Sequence, residues 1–148
     1  MSTTALPCRR LVLGTTLAAG TATALTACGD GSSAAPDNNP QPIPEPSGKP
    51  LAVADAADLP VGAMVNVSRE GSDAAYLLYR QDEKTVLAYT SVCTHAGCQV
   101  GPGDGDFHCP CHNSHFSAEN GTATAGPARD SLTRYAAEVS DGKILLYP

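Results

Sequence analysis

The sequence predicts an all-β, antiparallel domain. Short runs rich in β-branched and aromatic residues follow one another closely from residue 51 onward. Gly, Pro, Asn and Asp separate those runs. No segment of useful length carries a helical period. In order, Leu51-Ala52-Val53-Ala54 reads as a first strand and Asp58 to Gly62 as a turn. Met64-Val65-Asn66-Val67 alternates, as a strand should. Ala75 to Tyr79 and Thr85 to Tyr89 are β-rich runs joined by the charged turn Gln81–Lys84. Gly101 to Gly105 is a dense turn, Phe107-His108 a short strand, and Glu119-Asn120-Gly121 a hairpin-type turn. Arg134 to Val139 and Lys143 to Tyr147 form a last hairpin about Asp141-Gly142.

A chain of 148 residues holds one such domain and a tail. The formal charge is −6, and the first 27 residues carry two arginines and no acid, so the remainder is more acidic still. That excludes a basic nucleic-acid footprint. Residues 1–27 read as an export signal: Arg9-Arg10 precede a weakly apolar run rich in Ala, Thr and Gly, in the manner of a twin-arginine signal. Leu25-Thr26-Ala27-Cys28 resembles a lipobox, which makes Cys28 a lipidation candidate and places the protein on the extracytoplasmic face of the membrane. Residues 28–50, dominated by Gly, Ser, Ala, Asn, Gln and Pro, read as a disordered tether. Residues 51–148 are the domain.

Chemistry concentrates between Cys93 and Ser114. Cys93-Thr94-His95-Ala96-Gly97-Cys98 and Cys109-Pro110-Cys111-His112-Asn113-Ser114 each offer one imidazole and two thiols among turn-forming residues. Two loops of this kind suit a mixed Cys₂His₂ iron–sulfur centre. Two other chemistries use the same residue types. Cys93, His95, Cys109 and His112 would make a structural zinc site, with two cysteines surplus. Cys109-Pro110-Cys111 would support thiol–disulfide exchange, leaving both histidines idle. His108 and His115 read as surface or packing residues.

The boxes C-T-H-x-G-C and C-P-C-H-x-S closely resemble those of the Rieske iron–sulfur proteins, and the resemblance extends from about Leu51 to the C-terminus. It implies a Rieske-type β sandwich with a small inserted cluster-binding subdomain and one 2Fe-2S cluster per chain. It further implies that Cys93 and Cys109 bind one iron and His95 and His112 the other. A Cys98–Cys111 disulfide would tie the loops, Ser114 would donate a hydrogen bond to the cluster, and Pro127 would belong to a segment covering its third side. Disulfides suit an oxidising compartment, in keeping with export. The implied function is one-electron transfer with proton exchange at the imidazoles, without independent catalysis. Partners would be a redox protein or a membrane quinol or cytochrome donor. A cytochrome bc complex and an arsenite-oxidase-like enzyme are the assemblies considered. Three positions depart from the quinol-oxidising members: Asn113 stands for Gly, Ala96 for Leu, and Phe116 for a Tyr that donates to a cysteine ligand. The lost donor predicts a potential below that of Tyr-bearing members, in the middle to upper part of the roughly −150 to +300 mV Rieske range.

Overall fold

The computed structural model describes residues 37–68 and 75–148, so the expected signal, lipobox and first part of the tether lie outside the described residues. Ten strands fall within them: β1 (Leu51–Asp55), β2 (Met64–Ser68), β3 (Ala75–Arg80), β4 (Val86–Thr90), β5 (Gly101–Pro102), β6 (Phe107–Cys109), β7 (Ser114–Phe116), β8 (Ala123–Ala125), β9 (Arg134–Ser140) and β10 (Lys143–Tyr147). One turn of 3₁₀ helix, Ala56–Asp58, follows β1. No helix among the described residues is long and apolar enough to cross a membrane.

Six strands form one sheet in the order β1-β10-β9-β4-β3-β2, all antiparallel. Only two register pairs, Ala88↔Tyr135 and Tyr89↔Arg134, join β4 to β9. The sheet therefore behaves as two three-stranded halves that fold over one another, and the sandwich expected from the sequence is what forms. Between β4 and β9 a four-stranded sheet, β5-β6-β7-β8, is inserted.

β3 and β4 explain the unbroken apolar runs. Tyr76, Leu78, Val86 and Ala88 face one core with Leu59, Ile144 and Leu146. Leu77, Leu87 and Tyr89 face the opposite core with Val100, Phe107, Phe116, Ala118 and Leu132. A strand buried on both faces has no reason to alternate. β2 does alternate: Val65 and Val67 pack on the first core, while Met64 packs on the second and Asn66 Nδ2 donates to the Val100 carbonyl at 3.1 Å. The β9–β10 turn has Asp141 at φ 49° and Gly142 at φ 74°. Both central residues of a two-residue hairpin of this hand need positive φ, and Asp-Gly supplies them.

Two sequence expectations differ from what is found. β5, β7 and β8 were not anticipated, because strands of two or three residues carry no readable period. The tether was expected to run free to residue 50, yet Asp37–Gln41 is hydrogen-bonded to the domain. Asn38 Nδ2 donates to the Ala123 carbonyl at 2.9 Å, the Ala123 amide donates to Asn38 Oδ1 at 2.6 Å, and the Ser131 amide donates to the Asp37 carbonyl at 2.9 Å. Polar side chains with defined acceptors replace the apolar anchors that a composition reading looks for.

Candidate metal-cluster site

Both loops sit at strand ends. Val92 pairs with Gln99 in an isolated bridge, and inside it the Cys93 amide donates to the Cys98 carbonyl at 2.8 Å and the Gly97 amide to the Cys93 carbonyl at 2.8 Å. Gly97 turns the loop at φ 73°, in the left-handed region. The second loop is the β6–β7 hairpin: Cys109 pairs with Ser114, leaving Pro110 to Asn113 as its connection. Asn113 takes φ 58°, a conformation Asn tolerates where other side chains strain, which accounts for Asn in place of Gly. Its Oδ1 is 3.0 Å from His108 Nε2.

The loops meet. Cys98 and Cys111 form a disulfide with Cα atoms 6.5 Å apart. Cys93 and Cys109 are free and buried. Cys109 Sγ lies within 4.8 Å of both disulfide sulfurs, but those are bonded to each other and offer no thiolate. The His95 and His112 rings are exposed and meet edge to face with centroids 4.8 Å apart. Buried sulfurs beneath solvent-facing imidazoles thus occupy one end of the inserted sheet. Burial pushes the Cys109 thiol above its ordinary value, while the amides of Cys111 and His112, directed at its sulfur, pull it back. Those amides are the donors a metal-bound thiolate uses.

A third loop closes the side. Gly126 sits at φ 82°, and a Cβ there would come within 2.3 Å of the Asn113 carbonyl oxygen, so only glycine permits this approach. The neighbouring Ala128 amide donates to Ser114 Oγ at 3.2 Å. Ser114 is fully buried, and accepting that bond leaves its hydroxyl proton for a further acceptor. Pro127, between these two contacts, is half-buried. Phe116 is completely buried, pairs in register with Phe107, and shares a core with the two free cysteines. Thr94, to which the sequence assigned no role, donates from Oγ1 to the Asp130 carbonyl at 2.8 Å and so ties the first loop to the third.

His108 and His115 stay off the site. They stack on each other, centroids 4.6 Å apart, and His115 Nδ1 lies 2.7 Å from Asp106 Oδ2. Cys109-Pro110-Cys111 does not stand as a dithiol pair here, because Cys111 is bonded to Cys98. Cys28 lies outside the described residues.

Two free thiols, two imidazoles and a buried hydroxyl with a spare proton, on loops joined by a disulfide, fit a 2Fe-2S group ligated by two cysteines and two histidines. The class is therefore an iron–sulfur β domain. Residues 49–136 match the family model of the Rieske [2Fe-2S] domain, and the chain belongs to that family. It is 40% identical over 82 residues to the cytochrome b6-f complex iron-sulfur subunit of Gloeobacter violaceus, covering 53% of this chain and 43% of that protein. It is 41% identical over 80 residues to the chloroplastic subunit of Oryza sativa, covering 51% and 35%. The match thus spans less than half the length of these relatives. Among solved structures, the cyanobacterial plasma membrane Rieske protein of Synechocystis PCC 6803 aligns with a TM-score of 0.55 and 31% identity, over 66% of this chain and 99% of that one. The ferredoxin of carbazole 1,9a-dioxygenase from Nocardioides aromaticivorans shares the fold, with a TM-score of 0.56 at 24% identity, over 68% and 99%.

Proposed function

We propose that this protein is an exported, membrane-tethered one-electron carrier. The observation that carries the reading is the pairing of two buried free thiols with two adjacent, exposed imidazoles on disulfide-joined loops, in a chain of the Rieske family. Cys93 and Cys109 would hold one iron and His95 and His112 the other. When bound, the cluster supplies one-electron redox chemistry at a potential raised by its neutral imidazole ligands. Everything else falls to the chain. Each histidine would use one ring nitrogen for metal and leave the other free, where a proton could be held or released. Phe107, Phe116 and Val100 exclude water from the sulfur side. Ser114 would offer its remaining hydroxyl proton to the group, and the exposed His95–His112 edge would face a redox partner.

Export and anchoring rest on Arg9-Arg10 and on Leu25 to Cys28. A folded, metal-loaded domain suits the twin-arginine route, and a lipid on Cys28 would hold the carrier at the extracytoplasmic face. Cys28→Ala is expected to release the protein from membranes; full retention defeats that part.

The decisive experiment is iron and acid-labile sulfide analysis of anaerobically prepared protein with paramagnetic resonance after reduction. Two irons and two sulfides per chain, with a signal on reduction, are expected. Zinc in their place overturns the reading. A midpoint potential that stays flat from about pH 6 to 10, a span including the ordinary imidazole pKa, removes the proton-exchange part alone. A second reading, a subunit of a cytochrome bc or b6-f type complex, is favoured by the cytochrome b6-f relatives; co-purification of cytochrome subunits from membranes decides for it.

A further inference from the structure

We propose that Asp37–Gln41 is a staple that holds the third wall of the cluster site shut, making Asn38 and Asp130 positioning residues for the electron carrier. The inference rests on the cluster reading above and deepens it. The family model matches from residue 49, so the staple lies upstream of the residues it covers.

The third wall is carried by the segment from Ala123 to Ser131, and neighbouring residues of the staple grip both its ends. At one end, the Asn38 side chain exchanges two hydrogen bonds with the backbone of Ala123, as a neighbouring strand would. Ala123 belongs to β8, the edge strand of the inserted sheet, so Asn38 caps backbone groups otherwise unpaired there. At the other end, the Asp37 amide donates to Asp130 Oδ1 at 2.6 Å, the Ser131 amide donates to the Asp37 carbonyl, and Ser131 Oγ donates to the Asn39 carbonyl at 2.8 Å. Asp37 Oδ1 in turn accepts from Asn39, which preforms the turn. One contact farther on, Arg134 donates to the Gln41 carbonyl at 3.3 Å.

What is gripped touches the site at two points. The Asp130 carbonyl accepts from Thr94, which stands between Cys93 and His95. The Ala128 amide donates to Ser114 Oγ and so orients that hydroxyl. The segment between the grips, Thr124 to Gly126, is exposed and small, with few apolar contacts of its own to hold it down. Without the staple the Ala123 end would keep its pairing with β7 and the Asp130 end its bond to Thr94, but the free edge of β8 and the Asp130 carboxylate would lose these partners. Polar bonds with both partners fixed add up to a defined geometry where burial is scarce.

The test uses the full-length holoprotein. Asn38→Ala and Asp130→Ala are compared with Asp130→Asn, which still offers an Oδ1 acceptor, and with Ile144→Val, which weakens the distant core. Asn38→Ala, which removes both hydrogen bonds to Ala123, is expected to lose cluster to a chelator roughly ten-fold faster, and Asp130→Ala, which removes the one from the Asp37 amide, roughly three-fold faster. They also shift the midpoint potential and the resonance signal. Asp130→Asn stays near wild type, and Ile144→Val moves neither potential nor signal. Wild-type potential and chelation rate in both alanine variants overturn the proposal. Hydrogen exchange at the Ser131 amide does not depend on the cluster. It should accelerate in Asn38→Ala even in metal-free protein, and an unchanged rate there also overturns the staple. Absence of iron from the wild type indicts the cluster reading instead.

Discussion

Tyr76, Leu78, Val86 and Ala88 look from β3 and β4 onto Ile144 and Leu146, while Leu77, Leu87 and Tyr89 look the other way, onto Phe107, Phe116 and the two free cysteines. The first core is enclosed by strands of five to seven residues, β1 to β4 before the inserted sheet and β9 and β10 after it. The second is roofed by strands of two or three residues, three loops, a disulfide and side-chain hydrogen bonds. The first needs only area removed from water. The second must leave one edge open to metal and solvent, so it cannot close by burial and substitutes cross-links and glycine-permitted close approaches. The difference also appears in polar bookkeeping: the Tyr89 hydroxyl and Arg134 Nε are buried without partners on the cluster side, and Arg134 lies over the Tyr89 ring, 5.5 Å from its centroid.

Truncations on the two sides test this division most strongly. Phe107→Ala is expected to cost about 3–5 kcal/mol by chemical denaturation and to abolish cluster retention. Leu78→Ala is expected to cost roughly 2–5 kcal/mol while leaving the spectrum of the loaded protein intact. Equal spectral damage from Leu78→Ala would erase the distinction. Removing the bridge with Cys98→Ser and Cys111→Ser is expected to cost about 3 kcal/mol in the chain-entropy model, read as a lower denaturation midpoint. Gly126→Ala forces a Cβ against the Asn113 backbone and is expected to cost roughly 1–3 kcal/mol, with faster loss of iron.

Tyr89 gives a pH signature. Burial first, then Arg134 pulling down and Glu119 pushing up, leaves its hydroxyl pushed up to about 12 from an ordinary 10. The folded protein keeps that proton longer than the unfolded chain. The contribution is therefore complete below pH 10 and lost as pH rises toward 12, about 2–3 kcal/mol in all. Tyr89→Phe should flatten that alkaline decline and, by deleting an unpartnered hydroxyl, cost little at neutral pH. An unchanged alkaline slope would mean another group is responsible. The smallest effect on stability, and one confined to the site, is Phe116→Tyr. A new hydroxyl beside the cysteine sulfurs should raise the midpoint potential, and an unmoved potential removes Phe116 from the account.

Much of this was legible beforehand. The β3 and β4 runs showed as strands because double-sided burial leaves them continuously apolar, and Asp141-Gly142 showed as a turn because few residues accept positive φ. The paired boxes were legible because thiols and imidazoles among glycines serve no packing purpose. The short strands were not, since Gly101-Pro102 and Ala123–Ala125 carry too few side chains to show a period. Nor was Asp37–Gln41, whose polar residues read as unstructured; their partners lie 85 to 94 positions away.

The sequence alone determined which atoms are available for chemistry and which strands must be buried, because residue type and periodicity act locally and need no knowledge of neighbours. The family boxes also foretold that Cys98 finds Cys111; only the tertiary structure decided that Gly126 presses on Asn113, that Thr94 reaches Asp130, and that Asn38 completes the edge of β8. Each of those contacts is short-range and joins residues that are not neighbours in the chain. Their strength depends on distances that no local pattern encodes.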